Sequence, residues 1–157
     1  MKIILVSIGK NSDPYIQEGV KDFTSRINRY YPTEWVIIPS PKNAHSFSKN
    51  ELKKKEADLI LQIIKKEDYL VALDERGKLI SSEGLSNLIS GRAMDSVKQI
   101  YFIIGGAYGI DETVLKRADF IFSLSKLTFP HQLVRLILAE QVYRACTIAR
   151  NEKYHHA

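Results

Sequence analysis

Hydrophobic and polar positions along the chain change period repeatedly, and each change marks an element. Lys2 to Ile8 is a short, nearly continuous apolar run, the pattern of a strand buried on both faces. Asp13-Pro14 then reads as a helix start, an N-cap carboxylate with proline in the first turn. Ile16, Val20, Phe23, Ile27 and Tyr30 follow at spacings of four and three, one helical face, and Pro32 stops the helix. Glu34 to Ile38 predicts a second strand, closed by Pro39 and Pro41. The polar stretch Ser40 to Ser48 reads as a mobile loop. Ser48-Lys49-Asn50-Glu51 has capping-box spacing, and Leu52, Leu59, Ile60, Ile63 and Ile64 continue the stripe of a second helix. Tyr69 to Leu73 predicts a third strand, and Ser81 opens a helix carrying Leu85, Leu88, Ile89 and Ala93. Gln99 to Ile104 predicts a fourth strand that runs straight into Gly105-Gly106-Ala107-Tyr108-Gly109. Asp111 caps a short helix, Phe120 to Leu124 makes a fifth strand, and Thr128-Phe129-Pro130 starts a final helix that reaches about Arg150.

Five strands alternating with helices imply an α/β fold with a mostly parallel sheet flanked by helices. No internal repeat, low-complexity tract or linker interrupts the pattern, so residues 1–157 read as a single domain. Composition changes little in this picture. An apolar fraction of 45% suits a globular chain rather than a disordered one. The lone cysteine, Cys146, has no internal partner, which favours a reducing compartment. The N-terminal apolar run is too short to span a bilayer and carries no small-residue cleavage site, so a cytoplasmic location is expected.

Charge adds one hint. Lysine and arginine number 23 against 18 aspartates and glutamates, a formal +5, which suits a polyanionic partner without demanding one. Lys53 to Lys55, Lys65 and Lys66 fall mostly off the apolar stripe of the second helix. The plainer reading is a solvated face, the sharper one an RNA-facing patch.

In open α/β sheets ligands bind beyond the carboxyl ends of the strands. Three such ends carry unusual residues: Leu73 to Lys78, Gly105 to Gly109, and Leu124 to Pro130. The glycines after Ile104 suit either a close backbone approach to a ligand or a tight strand-to-helix turn. Two phosphate motifs fail. Gly105-Gly106-x-x-Gly109 lacks the G-x-G-x-x-G form and the ribose-reading acid, and Gly9-Lys10-Asn11-Ser12 lacks the first glycine of a P-loop. His45, His131, His155, His156 and Cys146 show no metal-site spacing, so no metal is expected. The final helix is apolar nearly all round, as a helix buried in a core or against a second subunit would be. It nevertheless carries His131, Arg135, Glu140, Gln141, Tyr143 and Arg144, with Glu140 and Arg144 spaced to pair.

Ser125-Lys126-Leu127-Thr128-Phe129-Pro130-His131-Gln132, with Arg135 and then Glu140-Gln141-Val142-Tyr143-Arg144-Ala145, resembles the ribosomal RNA large subunit methyltransferase H family of the SPOUT superfamily of knotted methyltransferases. The likeness extends to Ile8-Gly9-Lys10, to Gly77 through Gly84, to Ile104 through Gly109, and to Glu152 with Tyr154-His155, so it covers essentially the whole chain.

That resemblance implies a fold with a C-terminal trefoil knot, a homodimer, S-adenosyl-L-methionine as cofactor, and methylation at N3 of a pseudouridine of 23S ribosomal RNA in the assembled ribosome. It places the cofactor at Leu73, at Gly105 and along Leu124, Ser125, Lys126, Leu127, Thr128 and Phe129. The polarity of the C-terminal region suggests Arg144 and His155 as RNA contacts, with Tyr154 shaping the pocket and Glu140 orienting Arg144. No general base is assigned, and His131 is open to a structural or a catalytic part. The implied partners are a second copy, the ribosome and 23S rRNA, with neither membrane nor DNA. Asn151 departs from the family's usual glycine, and His156-Ala157 extend the tail, which puts tail geometry in question. Two competing classes remain: a non-catalytic RNA-binding or ribosome-associated factor keeping the fold, and a nucleotide-dependent metabolic enzyme.

Overall fold

A computed structural model describes residues 1–10 and 12–156. Five parallel strands, β1 (Lys2–Ile8), β2 (Thr33–Ile38), β3 (Tyr69–Leu79), β4 (Gln99–Ile104) and β5 (Phe120–Ser123), form one sheet in the order β2-β1-β4-β3-β5. The helices are α1 (Pro14–Ile27), α2 (Lys49–Gln62), α3 (Ser82–Met94), α4 (Glu112–Arg117) and α5 (His131–Ala149).

Strand pleating sends alternate residues to opposite faces, and here both faces are covered. Ile3, Leu5, Val71, Ile100 and Phe102 pack with Leu85 and Ile89 of α3 and Leu138 and Val142 of α5. Their neighbours Ile4, Val6, Ile8, Leu70, Ala72 and Ile103 pack with Ala57 and Ile60 of α2 and Val114 of α4 on the other side. Double coverage is why β1 and β4 read as nearly continuous apolar runs. The final helix is buried within this one chain, with Leu138, Ala139, Val142, Ala145 and Cys146 facing inward.

The short-range signals mostly hold. Ser48 and Glu51 form the capping box, Ser81 accepts from the Gly84 N–H at 3.1 Å, and Asp111 accepts from the Thr113 N–H at 2.9 Å. Asp13 differs. Its side chain caps nothing, and its backbone N–H donates instead to Gln132 Oε1 at 2.7 Å, so α1 is fastened to α5. The same helix ends at Ile27, ahead of Pro32, because Asn28 folds back: its Oδ1 accepts the Thr33 N–H at 2.8 Å. The segment read as a mobile loop contains a 3₁₀ turn, Ala44–Ser46.

The third strand is longer than its apolar run. It pairs with β5 through Leu73, breaks register, and resumes at Lys78 opposite the same residue, Phe122. The segment between bulges out at the carboxyl end of the sheet. Gly77 closes that bulge: a Cβ there would stand 2.6 Å from Phe122 Cα, so only glycine lets the two backbones approach. The strand end is thus a shaped feature.

Candidate functional site

The carboxyl ends of β3, β4 and β5 surround a cleft of about 890 Å³. Leu73, Gly105 and every residue from Leu124 to Phe129 line it, so the strand-end positions singled out in the sequence converge on one cavity. They come from three separate strands, and the β4-β3-β5 order makes them neighbours.

Two of the walls are mostly backbone. After β4 the chain turns back on itself, with the Gly109 N–H donating to the Gly106 carbonyl at 3.1 Å and Gly109 at φ 86°. A Cβ on Gly105 would meet Ile110 Cγ1 at 2.7 Å and the Gly109 carbonyl oxygen at 2.8 Å. After β5 the chain coils with local support. Ser123 Oγ donates to the Ser125 carbonyl at 2.8 Å, and the Leu127 N–H donates to Ser125 Oγ at 2.9 Å. Leu127 itself is 73% exposed at the mouth, while Phe129 is half-buried. On the β3 side Arg76 grips Asp74 through Nε at 2.8 Å and reaches Glu112 of α4 at 2.9 Å. That guanidinium holds the Asp74 carboxyl below its ordinary range.

The N-terminal turn of α5 ties the cleft to β1. His131 lines the cleft, but its Nε2 lies 2.8 Å from the Ile8 carbonyl, which only an N–H at that position satisfies. Burial, with the Arg135 charge adding to it, holds His131 below its ordinary pKa, so it stays neutral. Arg135 is 2% exposed and donates to Ser7 Oγ at 2.8 Å, the Lys10 carbonyl at 2.7 Å, Ser12 Oγ at 3.0 Å and the Ile8 carbonyl at 3.3 Å. These contacts give His131 a structural part.

A second polar cluster occupies the other end of α5. Arg144 donates to Glu140 Oε1 through Nη2 at 2.6 Å and Nε at 3.0 Å, and lies over the Tyr154 ring at 4.8 Å. The Tyr154 hydroxyl donates to the same carboxylate oxygen at 3.1 Å. His155 sits 3.4 Å from Arg144 Nη1 on one side and 2.7 Å from Glu83 on the other. The expected grouping of Arg144, Tyr154, His155 and Glu140 therefore exists.

The chain folds back to make this cluster at Asn151. With φ 56°, Asn151 is left-handed; its N–H donates to the Ile148 carbonyl and the Glu152 N–H to the Thr147 carbonyl, both at 3.0 Å. This is the double bond that closes a helix in a Schellman motif, where glycine is usual and asparagine is tolerated. The departure at Asn151 thus preserves the tail's course. His156 is exposed, and Ala157 lies outside the described residues.

The two clusters are not one cavity. None of Arg144, Tyr154 or His155 lines the cleft. A smaller groove of about 310 Å³ runs between them, sharing Leu124 and Phe129 with the cleft and reaching Ser82 and Gln141. Gln141 donates to Glu140 at 2.8 Å and accepts from Ser82 at 2.7 Å, so the groove ends on the Arg144 network. Sequence inspection placed Asp74 within a ligand-facing strand end without giving it a role, and missed Glu56, an acid inside the apolar stripe of α2 at i, i+4, i+8 with Leu52 and Ile60, which was a visible signal. The α2 lysines are mostly on a solvated face, with Lys55 lying over Phe47 at 4.7 Å. Among the described residues no helix is long and apolar enough to cross a membrane, and no group of three His, Cys, Asp or Glu could hold a metal ion.

A family model described as "Predicted SPOUT methyltransferase" matches residues 1–155. The chain is 46% identical over 156 residues to the "Ribosomal RNA large subunit methyltransferase H" of Christiangramia forsetii, covering 99% of each. It is 44% identical over 156 residues to proteins of the same name from Parabacteroides distasonis, covering 99% of each, and from Cytophaga hutchinsonii, covering 99% of this chain and all of that one (100%). Among solved structures, a probable methylase family protein from Haemophilus influenzae Rd KW20 superposes with a TM-score of 0.54 at 13% identity, over 99% of this chain and 70% of that one. That likeness concerns the fold.

Proposed function

The chain belongs to the SPOUT methyltransferase family, and from that premise we propose that it transfers a methyl group from S-adenosylmethionine to N3 of a pseudouridine in 23S ribosomal RNA, acting as a homodimer on the assembled ribosome. The observation that carries this reading is the convergence of Leu73, Gly105 and Leu124 to Phe129 on one cleft at the carboxyl edge of the sheet. At about 890 Å³ the cleft lies within the range of small-molecule and cofactor sites, and its walls are backbone that a side chain on Gly105 would disrupt.

Backbone N–H and C=O groups of Leu124 to Phe129 are suited to reading an adenine edge, with Leu73, Leu127 and Phe129 covering its faces. When bound, the cofactor supplies an electrophilic methyl group on a sulfonium whose sulfur keeps the electron pair as the methyl leaves. The protein's share is positioning: holding nucleophile and methyl in line supplies much of the rate. N3 of pseudouridine must also lose its proton, which leaves negative charge on the flanking carbonyls. In this reading Arg144, its fork held by Glu140 and its flank by His155, faces that charge. Tyr154 closes the pocket beside it. The trefoil passage of the C-terminal segment that the sequence resemblance implies belongs to this reading.

The separation of the Arg144 cluster from the cleft favours a dimer, in which one subunit's tail presents RNA to the other's cleft. A variant held monomeric but fully active would sink that part. The reaction as a whole is tested by transfer of labelled methyl from S-adenosylmethionine to ribosomes from cells lacking this gene, beside naked rRNA. Label in the large-subunit RNA of assembled ribosomes alone is the expected result. Ribosome binding without label would instead favour the non-catalytic RNA-binding reading.

A further inference from the structure

Glu56 is the odd member of the α2 stripe. Leu52, Glu56 and Ile60 recur at four-residue spacing and all three are buried, Glu56 to 4% exposure. Burial alone acts on its carboxyl and pushes the pKa up, with no cation and no hydrogen-bond donor among the described residues opposing it. A mostly buried carboxylate with no partner costs stability that an apolar residue at the same place in the stripe would not. Nearby lysines are turned elsewhere: the Lys53 charge acts on Asp74 and Asp111, and Lys49 lies over the Tyr108 ring at 5.2 Å.

Its location gives the reason. A Cβ on Gly106 would stand 2.6 Å from both carboxylate oxygens, so the group presses on the bare Cα of the glycine turn. Gly106 also lines the cleft. A mostly buried acid therefore lies directly behind the wall that the cofactor would touch.

We propose that Glu56 is a positioning residue that places negative potential behind the Gly105–Gly106 turn, so that the cleft prefers a cationic sulfonium ligand to its neutral thioether counterpart. The inference rests on the cofactor reading above. Transfer breaks the sulfur–methyl bond, forms the bond from N3 to the methyl carbon, and releases the N3 proton to solvent. The sulfur goes from positive to neutral while the amino, carboxylate and adenosine groups stay the same. A charge separated from the cleft by the glycine-turn backbone rather than by open solvent acts on that difference. The expected benefit is in exchange: the spent cofactor is held less tightly than the fresh one.

Calorimetric titration of wild type and Glu56→Gln with S-adenosylmethionine and with S-adenosylhomocysteine tests this. The variant keeps the shape and removes the charge. S-adenosylmethionine affinity should fall about tenfold with S-adenosylhomocysteine affinity unchanged. Equal losses for the two ligands, as a purely structural part would give, overturn the proposal, and so does no loss for either. Should Glu56→Gln fail to fold, Glu56→Leu, which completes the apolar stripe, carries the same comparison. Wild-type protein that binds neither ligand overturns the cofactor reading itself and this inference with it.

Discussion

Arg135 and Arg144 sit on one helix about two and a half turns apart, and the fold treats them in opposite ways. Arg135 is buried against neutral acceptors at the end of β1 and in the loop that follows, with no carboxylate partner among the described residues. Burial pushes its pKa down. Arg144 is a quarter exposed (26% of its side chain), and its ion pair with Glu140 comes first among the influences that raise its pKa. The first arginine has all three guanidinium nitrogens donating inside the molecule, through four hydrogen bonds, and fixes where α5 begins relative to β1. The second keeps a face toward solvent, held in orientation by Glu140, Tyr154 and His155. The lesson is that a charge in an apolar helix is functional or structural according to what its donors have left to offer.

The widest expected separation comes from truncating each. Arg135→Met leaves Ser7, Ser12 and two carbonyls short of donors, and should cost about 3 kcal/mol or more in denaturant unfolding. Cofactor binding would fall with it, since the same turn lines the cleft. Arg144→Ala should move stability by about 1 kcal/mol or less while lowering turnover about 100-fold with cofactor affinity retained. Unchanged turnover would remove Arg144 from the chemistry. A finer probe is Arg144→Lys, which keeps the charge and loses the fork. Turnover should drop about tenfold, equivalent to about 1.4 kcal/mol, an intermediate value that full activity would contradict.

The smallest effect is on the tail's docking. Glu83 is held down to about 2, from an ordinary 4.5, by its own backbone N–H first and then by His155 and Ser81. A carboxyl with a depressed folded pKa adds stability that is complete above its ordinary value and lost as pH falls toward the folded one. Tail protection in hydrogen exchange should therefore be constant above pH 4.5 and decline toward pH 2. Protection that is flat over that window would mean the His155–Glu83 contact does not hold the tail.

Much of this was legible because it is local. The caps at Ser48, Ser81 and Asp111 and the pairing of Glu140 with Arg144 depend on residues within one turn, and they appear as written. Asp13 occupies the N-cap position without its side chain capping, and its backbone N–H goes to Gln132, a partner distant in sequence that no local pattern announces. The reach of β3 beyond Leu73 was hidden because Asp74 to Gly77 carry no apolar pattern; contact with Phe122 of the neighbouring strand shapes them. Asn151 looked like a departure at the level of letters and proved to be a left-handed helix stop at the level of backbone angle. The resemblance supplied the cofactor positions, which spacing alone could not have joined.

The sequence by itself determined the alternation of strands and helices, the coverage of both sheet faces, and the three strand ends where chemistry was to be sought. Those properties follow from side-chain periodicity and from short-range hydrogen bonding. The tertiary structure alone decided that residues 73, 105 and 124–129 share one cleft, that Arg135 is spent inside while Arg144 is presented, and that Glu56 lies behind the glycine turn. Each depends on which strands become neighbours, and strand order is set by the packing of the whole chain rather than by any segment of it.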